Sequence, residues 1–157
     1  MSLFGESTLT KQLKIYIAAK FEDVELYRDL KSDLETAGFS ITTDWTEHQK
    51  VHPFSKHKSL CNIQSLEDCM GIQEADCLVL LYNGKKGSGM SFELGYATAL
   101  GKKIFMLSTT ETKEYGTLLK HDTQDYSMFV HMKNFVHCEN KEHLMQALKE
   151  FEKRNSQ

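Results

Sequence analysis

A single carboxylate, Glu93, follows the glycine-rich run Gly84-Lys85-Lys86-Gly87-Ser88-Gly89 and precedes an apolar strand-like segment, Lys103–Ser108. The spacing predicts a helix over Ser91–Leu100, which puts Glu93 in its first turn. Free N–H groups and the positive dipole end at a helix N-terminus keep a carboxylate ionised and can also hold an anion. Glu93, Tyr96, Ala97 and Leu100 fall on one helical face. A carboxylate on an apolar face either lines a pocket or is buried with partners. A first-turn acid that only complements the dipole is the alternative, and the pattern leaves both open. The loop is neither a Walker motif nor G-x-G-x-x-G. Its glycines let backbone N–H groups approach an anion closely, with Ser88 as a further donor and Lys85 and Lys86 as charges. A plain connecting loop is equally compatible with its composition.

The elements around this unit alternate. Lys14–Ala19 reads as a strand, Glu22–Gly38 as a helix, and the β-branched Ser40–Trp45 as a second strand near an edge. Thr46–Lys58, with the only proline (Pro53), reads as a long loop of the kind that often binds ligands. Ser59–Ala75 reads as a helix with Ile63, Leu66 and Met70 as its inward stripe, which leaves Asp68 on the solvated side. Asp76–Asn83 is the most hydrophobic strand and is expected at the centre. After Lys103–Ser108 come a polar connection over Thr109–Asp125, a short strand at Asn134–Glu139 and an amphipathic helix at Lys141–Arg154. Five strands alternating with helices imply an α/β three-layer sandwich with a five-stranded parallel sheet, flavodoxin- or Rossmann-like. Ligands then bind at the carboxyl ends of the strands, at the topological switch point. The expected organisation is a tail over residues 1–12 and one domain over 13–157.

Composition narrows the function. The 157 residues carry 40% hydrophobic and 26% charged residues and a net charge of −3, so no basic field attracts a nucleic acid polymer. No apolar run reaches membrane-spanning length, and the N-terminus lacks a signal peptide's apolar centre, so a cytoplasmic location is expected. Cys61, Cys69, Cys77 and Cys138 form no C-x-x-C pair and read as buried, reduced thiols. His48, His52 and His57 near Cys61 show no zinc spacing, and this polar stretch reads as a solvated loop. No metal and no cofactor is expected.

The segments K-I-Y-I-A-A, E-D-V-E-L-Y-R-D-L, D-C-M-G-I-Q-E-A-D and, most specifically, G-M-S-F-E-L-G-Y-A-T-A-L-G-K resemble the nucleoside 2-deoxyribosyltransferase family, together with its relatives that hydrolyse deoxynucleoside 5′-monophosphates. The resemblance runs from Lys14 to Phe151. It implies Glu93 as the catalytic nucleophile, Asp68 as the aspartate that assists proton transfer at the leaving base, and Tyr16 as the tyrosine that helps hold the nucleophile. Asp76 takes a structural place. The implied reaction is cleavage or transfer at the N-glycosidic bond of nucleosides or their 5′-monophosphates through a covalent glycosyl-Glu93 intermediate. The resemblance further implies a homodimer or higher homo-oligomer in which a neighbour's C-terminal segment completes each pocket, with Ser127 and Met128 in that part. Gly87 stands where many transferases place an aspartate six residues before the nucleophile, and Lys20 stands nearest the arginine of the monophosphate hydrolases. Lys20, Gly87, Ser88 and Gly89 are therefore expected around the substrate, with Trp45 as core or pocket wall. A nucleotide-binding sensor without turnover, and a TIR-like NAD glycohydrolase, remain alternatives on the same scaffold.

Overall fold

The computed structural model describes residues 11–108, 111–114, 117–120 and 123–156. Most of the expected tail, residues 1–10, lies outside them. The chain runs through β1 (Lys14–Ala18), α1 (Val24–Thr36), β2 (Ser40–Ile41), α2 (Lys58–Glu74), β3 (Cys77–Tyr82), α3 (Ser88–Ala99), β4 (Lys103–Ser108), β5 (Glu111–Glu114), β6 (Thr117–Lys120), β7 (Phe135–Cys138) and α4 (Lys141–Asn155). Five strands form one sheet in the order β2-β1-β3-β4-β7, and every pairing in it is parallel. The order reverses at β1 and β3, as in flavodoxin-like sheets.

Burial explains the order. All six residues of β3 are buried, because helices cover both faces of a central parallel strand. In α1, Tyr27, Leu30 and Leu34 point to the core, and Gly38 at φ +96° supplies the left-handed turn after the helix. The α4 helix buries Leu144 and Leu148, while the Asn140 side chain accepts from the His143 N–H at its start. Asp76 is structural as expected: its carboxylate accepts the Lys14 N–H at 2.9 Å, tying β1 to the start of β3.

Three expectations are corrected. The second strand is only Ser40–Ile41, because Trp45 opens a 3-10 turn over Trp45–Glu47 capped by Asp44. The polar connection after β4 contains the antiparallel β5–β6 pair. The α2 stripe is inverted: Ile63, Leu66 and Met70 are 52%, 53% and 56% exposed. What faces the sheet from α2 is Gly71 and Ile72, both buried. A Cβ on Gly71 would lie 2.0 Å from Thr43 Oγ1 and 3.2 Å from a ring carbon of Tyr16, so only glycine permits this approach of helix to sheet. The Thr42 hydroxyl donates to the Gly71 carbonyl at 2.8 Å and fastens the contact.

Candidate active site

A cleft of about 760 Å³ lies at the carboxyl ends of β1 and β3, beside the switch point. Asp68 and Glu93 line it, together with Lys20, Trp45, His48, Gly87, Ser88 and Gly89. Close packing at Gly71 sets Asp68 one turn earlier on α2, on the inward side. Tyr16, fully buried on β1, faces both carboxylates from below, and its hydroxyl is pushed strongly upward in pKa, first by burial and then by Glu93 and Asp68. Tyr16 Oη, Asp68 Oδ1 and Glu93 Oε2 are each buried without a hydrogen bond within the protein. Unpaired buried polar atoms are costly, and two of these three belong to residues that line the cleft, where a ligand could pair them.

The electrostatics differ from the sequence expectation. The α3 helix begins at Ser88 rather than Ser91, with Gly87 as its N-cap, so its first turn holds no acid and Glu93 falls in the second turn. There the helix dipole is weak. Burial, reinforced by the like charge of Asp68, raises the Glu93 pKa to about 8, against an opposing effect of the facing Tyr16 hydroxyl. Asp68 is raised too, by burial first, while His48 and Tyr16 pull it down and Glu67 pushes it up. Two carboxylates that repel each other in a poorly solvated site favour keeping one proton between them.

Another part of the cleft lining suits an anion. Lys20 lines it and donates to the Lys86 carbonyl at 3.3 Å, with Glu22 at 4.0 Å. Gly87 makes no side-chain cap, so the N–H groups of the α3 first turn are open to a ligand. Neither loop lysine lines this cleft: Lys85 pairs with Glu22 at 3.9 Å, and Lys86 lies over the Tyr126 ring. Trp45 is a wall, 6% exposed, its indole N–H donating to the Ile17 carbonyl at 2.8 Å and its ring packed edge-on to Tyr27.

Two expected residues are not brought to Glu93 within the chain. Ser127 lines a separate apolar cavity of about 490 Å³ on the other side of α3, and Met128 is 78% exposed. One cleft residue was not foreseen. His48, read as part of a solvated loop, has a side chain only 13% exposed, with Nε2 2.8 Å from Glu67 Oε2 and Nδ1 3.8 Å from Asp68 Oδ1. Twenty residues separate His48 from Asp68, and no sequence periodicity links a loop residue to a helix residue at that distance. The four cysteines are free thiols, of which Cys61 and Cys69 are only partly buried. Among the described residues no trio of His, Cys, Asp or Glu is placed to hold a metal ion.

The Nucleoside 2-deoxyribosyltransferase family model matches residues 15–150. The chain belongs to this family. Its fold is also that of two solved 2-deoxyribosyltransferases. A 2-deoxyribosyltransferase from Bacillus psychrosaccharolyticus is 23% identical over 64% of this chain and 76% of its own, with a TM-score of 0.54. One from Leishmania mexicana is 19% identical over 90% and 97%, with a TM-score of 0.55. A CMP N-glycosidase from Clostridium botulinum is 18% identical over 87% and 98%, with a TM-score of 0.49. No curated protein matches in sequence. The family is that of the nucleoside 2-deoxyribosyltransferases, and Asp68 and Glu93 line a cleft at the switch point, the place where open α/β sheets bind ligands. Among the described residues no helix is long and apolar enough to cross a membrane.

Proposed function

We propose that the protein cleaves the N-glycosidic bond of a nucleoside 5′-monophosphate, or transfers its sugar to another base, through a glycosyl ester on Glu93. The observation that carries this reading is that two largely buried carboxylates, Asp68 and Glu93, line one open cleft while the buried Tyr16 hydroxyl faces both of them. A Glu93 oxygen attacks C1′ of the sugar and the C1′–N bond breaks. Its electron pair goes to the base nitrogen, which takes the proton carried by Asp68. Water or a second base then attacks C1′ from the vacated face, Asp68 receives the nucleophile's proton, and Glu93 is released. Two inversions give overall retention.

The shared proton suits this sequence of steps. The reaction needs one ionised carboxylate for attack and one protonated carboxyl for the leaving base, which is the stoichiometry that mutual repulsion enforces. The Tyr16 hydroxyl, facing both, can exchange the proton between them. Lys20 and the open N–H groups at Ser88 and Gly89 receive the 5′-phosphate; Lys85 and Lys86, which the loop composition offers beside Ser88, do not line the cleft.

A homo-oligomer completes the reading. Ile63, Leu66, Met70 and Phe92 lie exposed on the adjoining α2 and α3 helices, and Met128 and Phe129 are exposed beyond them. An apolar surface of this extent suits a second copy, which would bring its Ser127 and Met128 to the neighbouring cleft. The test is chromatography of released base from nucleosides, deoxynucleoside monophosphates and NAD, followed by trapping with a 2-fluoro sugar. Base release with label on Glu93, abolished in Glu93→Ala, is expected. Wild-type turnover in Glu93→Ala, or nicotinamide as the sole product, would refute it.

A further inference from the structure

We propose that Glu67, which lies outside the cleft, is a positioning residue that acts through His48 on the charge Asp68 acquires when its proton leaves. The proposal rests on the cleavage reading above. Its geometric basis is a chain of three side chains: Glu67 Oε2 stands 2.8 Å from His48 Nε2, and His48 Nδ1 stands 3.8 Å from Asp68 Oδ1. Asp68 Oδ1 is one of the buried oxygens without a hydrogen bond, whereas the Glu67 side chain is 52% exposed. The loop carrying His48 is held to α2 a second time, by the Gln64 amide donating to the Gln49 carbonyl at 3.0 Å.

The chemistry follows from which nitrogen is committed. The Glu67 carboxylate accepts the Nε2–H, so Nδ1 is the atom turned toward Asp68. A ring with a proton on each nitrogen puts a positive charge opposite Asp68. While the C1′–N bond breaks, the pair moves to the base, the Asp68 proton follows it, and a carboxylate is left facing Nδ1–H. No proton leaves His48; the ring stabilises charge that appears only during the step, which is the kind of contact that raises kcat. The groups facing His48 are Glu67 and Asp68, both from α2; Tyr16 and Glu93 stand beyond Asp68.

Dependence on the leaving group separates this role from a structural one. With a nucleoside monophosphate, whose base needs a proton, Glu67→Gln should lower kcat roughly tenfold and leave KM within about twofold, a part of the ~10²–10⁴ that proton assistance supplies. With 4-nitrophenyl 2-deoxyribose 5-phosphate, whose leaving group needs none, the same variant should match wild type. His48→Gln should lose at least as much kcat on the monophosphate, and the double variant should be no slower there than His48→Gln alone. Equal losses on both substrates, or additive losses in the double variant, would overturn the proposal. Nitrogen-15 NMR of the His48 ring gives a reading without turnover: the Nε2–H signal should show a hydrogen bond to a carboxylate, lost in Glu67→Ala. An unchanged ring spectrum in that variant rejects the Glu67 link itself. A wild-type enzyme that cleaves neither substrate rejects instead the cleavage reading on which it rests.

Discussion

Asp68 and Glu93 face one cleft from two different helices, and the charge of the first helps to raise the second to a pKa of about 8. Activity requires that the pair retain one proton. It follows that kcat/KM should fall as pH rises through about 8, because above that value both carboxylates are ionised and none can protonate the base. A pH–rate profile of the free enzyme reads this directly. In Asp68→Asn the like charge is gone, so Glu93 should titrate lower. That variant should lose roughly 10²–10⁴ on substrates that need base protonation and little on an activated one. A basic limb that stays near 8 in Asp68→Asn would contradict the coupling.

The same shift has a cost in stability. Glu93 titrates near 4.5 when unfolded and near 8 when folded. Between those values the folded chain binds more protons than the unfolded one, so this group's contribution to stability declines as pH rises from about 4.5 to 8. Glu93→Gln should therefore raise the melting temperature at pH 8 and leave it little changed at pH 4.5. The expected gain is about 2–4 °C for each kcal/mol recovered. Calorimetry at the two pH values checks both sign and window; a gain that is larger in acid would be inconsistent with it.

Lys20, rather than Lys85, should decide phosphate recognition. Lys20→Ala is expected to raise KM for a 5′-monophosphate roughly 10–100-fold, since hydrogen bonds to charged groups contribute about 1.5–3 kcal/mol. Its effect on the unphosphorylated nucleoside should be much smaller. Lys85→Ala, which removes an exposed pair with Glu22, should change neither by more than about twofold. Steady-state kinetics on paired substrates distinguishes the two lysines.

Gly71→Ala should destabilise the fold by about 1–3 kcal/mol, since the new methyl meets Thr43 Oγ1 at 2.0 Å and must push helix from sheet. The same push moves Asp68 away from Tyr16, so kcat should fall with KM less affected. Denaturant melts with kinetics on the same variant test this, and Thr43→Gly in the same chain should restore part of both.

Much of the fold was legible because hydrophobic run length marks buried strands well. The β3 segment has six consecutive buried residues, and no helix or loop competes for that pattern. Glu93 was legible through its place after the glycine loop and through family resemblance. The α2 helix shows why reading failed elsewhere. Ile63, Leu66 and Met70 make a regular apolar stripe, and periodicity alone assigns such a stripe inward. A surface suited to a second protein copy carries the same signature, so the polar side, with Asp68, turned out to face the cleft. The start of α3 was misplaced by three residues because Ser88 and Gly89 read as loop composition, although a serine and a glycine fit readily in a helix's opening turn. His48 was missed because its partners come from a helix remote in sequence.

Gly87 has a consequence of its own. A Cβ at this position would touch nothing nearer than Met90 Sδ at 3.8 Å and the Lys20 side chain at 3.9 Å, and its φ of −141° is open to any residue. The backbone here would accept an aspartate without rearrangement, and that new negative charge would neutralise the lysine beside it. Gly87→Asp should therefore fold as well as the parent chain and weaken binding of a 5′-monophosphate more than that of the free nucleoside, a change of one codon that leaves the scaffold as it is.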